Sequence, residues 1–321
     1  MHMLIRVCAL TSPQLRGRGG KKQTADKKGK KTLISAQYSK RSPLGEFWHR
    51  FSQNKLAVIG LAFLILLALE CCFADVIFDY KTDVIGYTMK DRLQGPSAAH
   101  WFGTDDMGRD IFSRVMYGAR YSLLIALATV ALSLIIGVTL GAIAGFLGGK
   151  ADLYIFRVLD VIGSIPGLMM GIIVVSALGQ STQSLVIAMA ISGTIPTARI
   201  ARTSVMTVKN NEYVESSRSI GMPMGAIILK HILPNCLSPI IVRITLQVGQ
   251  AIVTASSLSF LGLGVPVPSP EWGALLSAGR GFIRNYPYMT TFPGLAIMLT
   301  VMSFNMVGDG LRDALDPKLR K

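Results

Sequence analysis

Charge is scarce in this chain: only 16% of its 321 residues are Asp, Glu, Lys or Arg, while half are hydrophobic. That balance excludes an ordinary soluble domain and points to a chain that crosses a membrane several times. Cysteine is limited to Cys8, Cys71, Cys72 and Cys236, with neither metal-ligand spacing nor a disulfide framework. All four read as packing residues or plain thiols. Histidine is limited to His2, His49, His100 and His231, and no metal-ligand helix or nucleophile–base set appears. A nucleotide-binding loop is missing too. Gly145-Phe-Leu-Gly-Gly-Lys150 lacks the GxxxxGK[ST] spacing and follows an apolar span. The chain is therefore expected to contain no catalytic residue, cofactor or metal site, and not to hydrolyse ATP by itself. Residues 1–10 are too short, and too interrupted by Arg6, for a signal peptide.

The charge that is present is concentrated. The net charge is +15, and eleven Lys and Arg lie between Arg6 and Arg41 with one acid, Asp26. Such a run suits either a nucleic-acid arm or a solvated tail held on the inner side of a membrane. The apolar remainder of the chain favours the tail, with no nucleic-acid partner. Residues 45–54 mix Phe47, Trp48 and Phe51 with His49 and Arg50, as in a short helix at the inner membrane surface.

Six apolar spans follow. The first, about Leu56 to Phe78, holds fourteen Leu, Ile, Val and Phe residues. They favour insertion by roughly 4–8 kcal/mol, which outweighs the roughly 3 kcal/mol cost of Glu70. Glu70 suits a subunit contact, or a transport role. The second span, about Tyr121 to Leu147, sets Gly137, Gly141 and Gly145 on one face, a surface for close helix packing. The third is about Leu153 to Leu178, with Pro166 and Gly167 inside and Arg157 and Asp160 spaced to pair. The fourth is about Leu185 to Val205, the fifth about Pro239 to Leu263 and the sixth about Phe292 to Leu311. Gln247 and Gln250 lie one turn apart in the fifth span, and Asn305 and Asp309 one turn apart in the sixth. These four side chains are candidates for lining a translocation path, with hydrogen bonding between helices as the plainer alternative. Six spans place both ends on one side. Lys and Arg before Leu56, in residues 207–235 and at Lys318, Arg320 and Lys321 assign that side to the cytoplasm.

The polar stretch 207–235 reads as two short helices around a corner. Asn210 or Asn211 is expected to cap the first, and Glu212 and Glu215 suit its positive end. Gly221 ends it in a left-handed backbone. Pro223 opens the second helix and Pro234 ends it. Helices this short need a surface to lie on. Outside the membrane, His100, Asp105, Asp106 and Asp110 lie close in sequence. Arg109 competes for the acids, so a structural turn is preferred to a metal site.

Glu215-Ser-Ser, Gly221 and Leu233-Pro234 resemble the EAA-x3-G-x9-I-x-LP loop of bacterial ABC importer permeases. Ser216 and Ser217 replace the two Ala, and His231, beside Ile232, replaces the Ile. Four further blocks resemble the dipeptide/oligopeptide/nickel branch of these permeases: His100 to Asp110, Ser259-Phe-Leu-Gly-Leu-Gly264 with Glu271-Trp-Gly273, Phe292-Pro-Gly-Leu295, and Gly308 to Pro317. The resemblance runs from about Ser42 to the end of the chain. It implies an all-α, polytopic membrane protein with six transmembrane helices in the type I ABC importer permease fold. It implies a second permease subunit, two ATP-binding subunits and an extracytoplasmic substrate-binding protein as partners, in a bacterial cytoplasmic membrane. It also implies that Glu215, Ser216, Ser217, Gly221, Leu233 and Pro234 couple this chain to the ATPases.

The organisation implied is a disordered basic cytoplasmic tail over residues 1–44, and a first transmembrane helix with an extracytoplasmic loop over 45–118. A core permease domain with five transmembrane helices follows over 119–312, then a cytoplasmic tail over 313–321. The expected cargo is di- or oligopeptides. Nickel or a chelated metal is the alternative within the family, weakened by the shortage of outward imidazole. A secondary transporter would favour inverted repeats and mid-membrane ionisable groups, neither of which stands out.

Overall fold

The computed structural model describes residues 43–315, apart from position 267. The basic tail up to residue 42, and residues 316–321 with Lys318, Arg320 and Lys321, lie outside the described residues. Among the described residues every regular element is helical, and the sole extended pairing is one bridge between Thr104 and Asp110.

Helix α1 (Pro43–Gln53) is the short aromatic helix expected near residues 45–54. Asn54 then caps α2 (Lys55–Ile77), its side chain accepting from Ala57 N at 3.2 Å. This helix is apolar all round and leaves Leu66 and Val76 exposed, as befits a helix solvated by lipid. A short wide turn at Tyr80–Val84 and a tight one at Met89–Asp91 lead into α3 (Ile111–Leu147). This helix starts ten residues before the expected Tyr121. Its two early charges did not end it because both are paired: Arg114 with Asp105, and Arg120 with Asp75.

The expected third span is not one helix. It consists of α4 (Gly149–Gly163) and α5 (Gly167–Leu178), which meet at 83°. Pro166 supplies no N–H and bars the residue before it from helical backbone, so the chain breaks rather than kinks. The expected Arg157–Asp160 pair is absent. Asp160 instead pairs with Arg199 of α6 (Thr182–Val208) at 2.7 Å, and Asp152 pairs with Arg202. The C-terminal half of α6 brings two guanidinium groups onto α4, and they take both acids.

Helix α7 (Glu212–Ser219) and the single turn α8 (Met224–Ile227) follow. Pro234 does not end the second short helix. The chain runs on through a widened turn at Ile228–Ile232 and a tightened one at Leu233–Cys236 into α9 (Leu237–Phe260). The widened turn leaves room for a residue without an N–H donor, so the proline is absorbed. Helices α10 (Trp272–Gly279) and α11 (Tyr288–Leu315) complete the chain.

Among the described residues, five helices, or six if α4 and α5 form one broken span, are long and apolar enough to cross a membrane. The most extensive packing is between α3 and α6. Gly137, Gly141 and Gly145 face Thr194, Thr197, Ala198, Ala201 and Val205, as the glycine stripe predicts. A Cβ at Gly137 would stand 2.9 Å from Thr194 O, so the helices touch backbone to backbone there. Trp272 is buried in the main core near the start of α3 and donates from Nε1 to Val115 O at 2.8 Å.

Candidate functional site

The stretch 207–235 lies on the C-terminal ends of α3 and α6. Val214, Ile227, Ile228 and Ile232 are buried in one cluster with Phe146, Val205 and Ile240. Arg218 stacks over the Phe146 ring at 4.6 Å, and Lys209 Nζ donates to Gly145 O at 2.8 Å. These contacts hold α7 flat on its own protein. Asn211 stands at its N-cap position, but its side chain makes no capping bond; its amide donates to Tyr213 Oη at 3.2 Å instead.

Gly221 has φ +77°. Gly221 N bonds to Arg218 O at 2.9 Å and Met222 N to Ser217 O at 3.2 Å, the paired closure of a helix that ends in a left-handed residue. Nothing lies within 4 Å of a Cβ added there, so the backbone angle alone calls for glycine. Ser217 is buried and Ser216 exposed; their hydroxyls donate to Tyr213 O and Glu212 O, so neither is left polar and unpaired. Ile232 is fully buried in the place that His231 leaves, and Leu233 packs beside it. Pro234 is exposed. So are Glu212, Tyr213, Glu215, Ile220 and Leu229, with Ile220 at 78% and Leu229 at 68%. The corner therefore has a buried apolar underside and an uncovered face that mixes two acids with large apolar side chains.

The four polar residues of the last two spans do not share one place. Gln247 is buried, donating from Nε2 to Ser133 Oγ at 2.6 Å and accepting from Thr197 Oγ1 at 3.0 Å. It ties α9 to α3 and α6. Gln250 lines the same cavity of about 320 Å³ as Gln247. Asn305 and Asp309 lie exposed on α11 and do not line that cavity; Asn305 is near Gly249 of α9. Sequence reasoning passed over Arg243, which also lines it. The signal was available, since Arg243 is a cation inside an apolar span.

In the turn before α3, Asp105 accepts from the amides of Met107 and Arg109, from Arg109 Nε at 2.7 Å and from Arg114. His100 Nδ1 is 2.9 Å from Asp110, which also caps α3 through Ser113 N. No set of three metal-ligating side chains gathers among the described residues. The block is a structural turn. Glu70 is half-buried in an apolar cavity of about 460 Å³ between α2, α3 and α11, with Oε1 unpartnered.

Residues 137–321 match the family model described as "Binding-protein-dependent transport system inner membrane component", and residues 42–96 match the "N-terminal TM domain of oligopeptide transport permease C". The chain is 45% identical over 284 residues to a dipeptide transport system permease protein, DppC, of Alkalihalophilus pseudofirmus, a match covering 88% of this chain and 93% of that one. It is 44% identical to an oligopeptide transport system permease protein, OppC, of Bacillus subtilis, covering 85% and 88% of the two chains. It is also 44% identical to a glutathione transport system permease protein, GsiD, of Pectobacterium atrosepticum, covering 88% and 93%. Among solved structures, the fold is similar to a chain of the MetNI methionine ABC transporter, with TM-score 0.52, 17% identity and coverage of 63% of this chain and 97% of that one. The chain belongs to the family of binding-protein-dependent transport system inner membrane components and is a multi-pass permease with the fold of ABC importer permeases.

Proposed function

We propose that this permease imports di- or oligopeptides. In this reading it pairs with a second permease subunit, takes cargo from an extracytoplasmic binding protein and is driven by two ATP-binding subunits. The observation that carries the coupling half of this reading is the corner at Gly221. Its underside is fixed to α3 and α6, so a push on its exposed face is transmitted to two long helices rather than lost in a loop. Glu212, Glu215, Tyr213, Ile220 and Leu229 offer the charge and apolar area of a docking face. The peptide half rests on relatives named for dipeptide, oligopeptide and glutathione transport, all of which carry a peptide backbone. The reading assigns both termini to the cytoplasm, following the Lys and Arg distribution of the sequence, so that the corner meets the ATPases and the turn before α3 meets the binding protein.

Reconstitution of the full importer in proteoliposomes tests this. ATP-dependent uptake of a labelled dipeptide, supplied with the binding protein, is the expected result. Uptake of nickel with no uptake of peptide would reverse the cargo assignment. Orientation is tested by single cysteines at exposed positions. Ala98→Cys is expected to react with an impermeant maleimide from outside, and Asn210→Cys only after the inner face is opened.

A further inference from the structure

Helix α5 begins at the rim of a cavity. Its first intrahelical bond is Met170 N to Pro166 O at 2.9 Å. The amides of Gly167, Leu168 and Met169 precede that bond and point out of the positive end of the helix. Gly167 and Leu168 line the cavity of about 320 Å³ described above. Ser192 and Pro196, near the midpoint of α6, line it too, as does Thr129, about halfway along α3. From α9 come Arg243, Gln247, Gln250 and Thr254.

The polar groups of this cavity are incompletely used. Arg243 Nε is buried without a hydrogen-bond partner, and among the described residues no carboxylate pairs with this guanidinium. Thr129 is only 2% exposed and its Oγ1 has no partner. Ser192 Oγ is also unpartnered, and stands 3.7 Å from where a Cβ on Gly167 would lie. Arg243 is half-buried; a partly desolvated cation with no counter-ion is costly, and an arginine does not escape by losing its proton. An entering anion removes that cost. The guanidinium fork matches the two oxygens of a carboxylate, and the amides of a helix start add further donors. Interrupted helices whose N-termini meet a carboxylate at mid-membrane are a recurring solution among transporters.

We propose that this cavity receives the terminal carboxylate of the peptide during passage, with Arg243 and the opening turn of α5 as its ligands and Thr129 and Ser192 as supporting donors. The proposal rests on the peptide-import reading. Gln247 is already satisfied by Ser133 and Thr197, so its part is to hold the wall.

The test uses the complete purified importer with Thr254→Cys as its sole reactive thiol, since Thr254 lines the cavity and is partly exposed. Alkylation by N-ethylmaleimide is timed with Ala-Ala, with Ala-Ala amide and with neither, in nucleotide-free and vanadate-trapped complexes. Millimolar Ala-Ala is expected to slow alkylation by about threefold or more in at least one state, as occupancy of a millimolar site requires. The amide is expected to give no protection. Arg243→Gln is expected to abolish protection and Arg243→Lys to keep part of it, with ATPase co-purification unchanged in both. Equal protection by peptide and amide, or protection that survives Arg243→Gln, overturns the proposal. So does lack of protection in both states of an importer that takes up Ala-Ala. An importer that transports no peptide at all overturns the peptide reading itself.

Discussion

The two polar ends of the molecule are built on opposite plans. In the turn before α3, and at Glu271, the buried carboxylates are answered internally. Asp105 is 4% exposed and is held by two amides and two guanidinium groups, and the fully buried Glu271 accepts from the amides of Gly273 and Ala274 at 2.9 Å each. At the corner around Gly221, Val214, Ile227 and Ile232 are buried underneath, while Glu212 and Glu215 are left uncovered beside the exposed Ile220 and Leu229. Buried polar groups must be satisfied or they destabilise. The turn before α3 is therefore closed largely on itself, a cap on α3. The corner covers only its underside. In the proposed reading, the motif in the first concerns stability and the motif in the second concerns recognition.

The sharpest test of that contrast is Asp105→Ala. It leaves Arg109 and Arg114 buried with no carboxylate, a change of the kind that costs about 3–5 kcal/mol. The expected outcome is loss of folded protein, read as a fall in melting temperature and yield of the solubilised importer. A variant that melts normally would show that the charges of this turn are not structural. Asp105→Asn keeps an acceptor for the Met107 and Arg109 amides and is expected to lose less.

Gly221→Val comes next. A left-handed backbone costs a side-chain-bearing residue roughly 1–2 kcal/mol. Open space surrounds the Cβ, so no clash adds to it. The protein is expected to insert and melt within a few degrees of normal while uptake per ATP falls. Gly221→Asn, which tolerates this backbone better, is expected to recover most of the coupling. Equal coupling in the valine and asparagine variants would remove the backbone argument.

Much of this was legible in the sequence, and the reasons are local. Leu56 to Phe78 is apolar apart from Glu70 and Asp75, so the first helix is misplaced by a single residue at each end. Gly221 stands where a short helix meets a proline two residues on, and its left-handed angle follows from chain chemistry alone. Pairing across the fold was not legible. Asp160 chose Arg199 over Arg157, and Arg114 was neutralised by Asp105, because neighbours set by helix packing decided both. Gln247 and Gln250 were read together with Asn305 and Asp309 because each pair has helical spacing; spacing places residues on a face but does not say which faces meet. Arg243 was passed over for the same reason, since its environment comes from three other helices and the break at Pro166.

Glu215→Lys is expected to have the smallest effect on stability and still a large one on work done. Glu215 is exposed and its side chain touches nothing that a lysine would disturb. Exposed substitutions of this kind fall within about 0.5 kcal/mol. The one local cost is a positive charge in the first half of a short helix, a few tenths of a kcal/mol to about 1 kcal/mol. Melting temperature and yield are therefore expected to match the parent protein. If the exposed face docks onto an ATPase, reversing its charge must act there instead. Co-purification of the ATP-binding subunits is expected to weaken, and hydrolysis to continue with less uptake. Glu215→Gln, which removes charge without reversing it, is expected to fall between the two. Both quantities must be measured on the same reconstituted importer, because a loss of uptake with normal docking and normal hydrolysis would point to the membrane path. Normal docking together with normal uptake per ATP would make residues 207–235 an ordinary connector, and the contrast between a closed turn before α3 and a half-covered corner would lose its functional meaning.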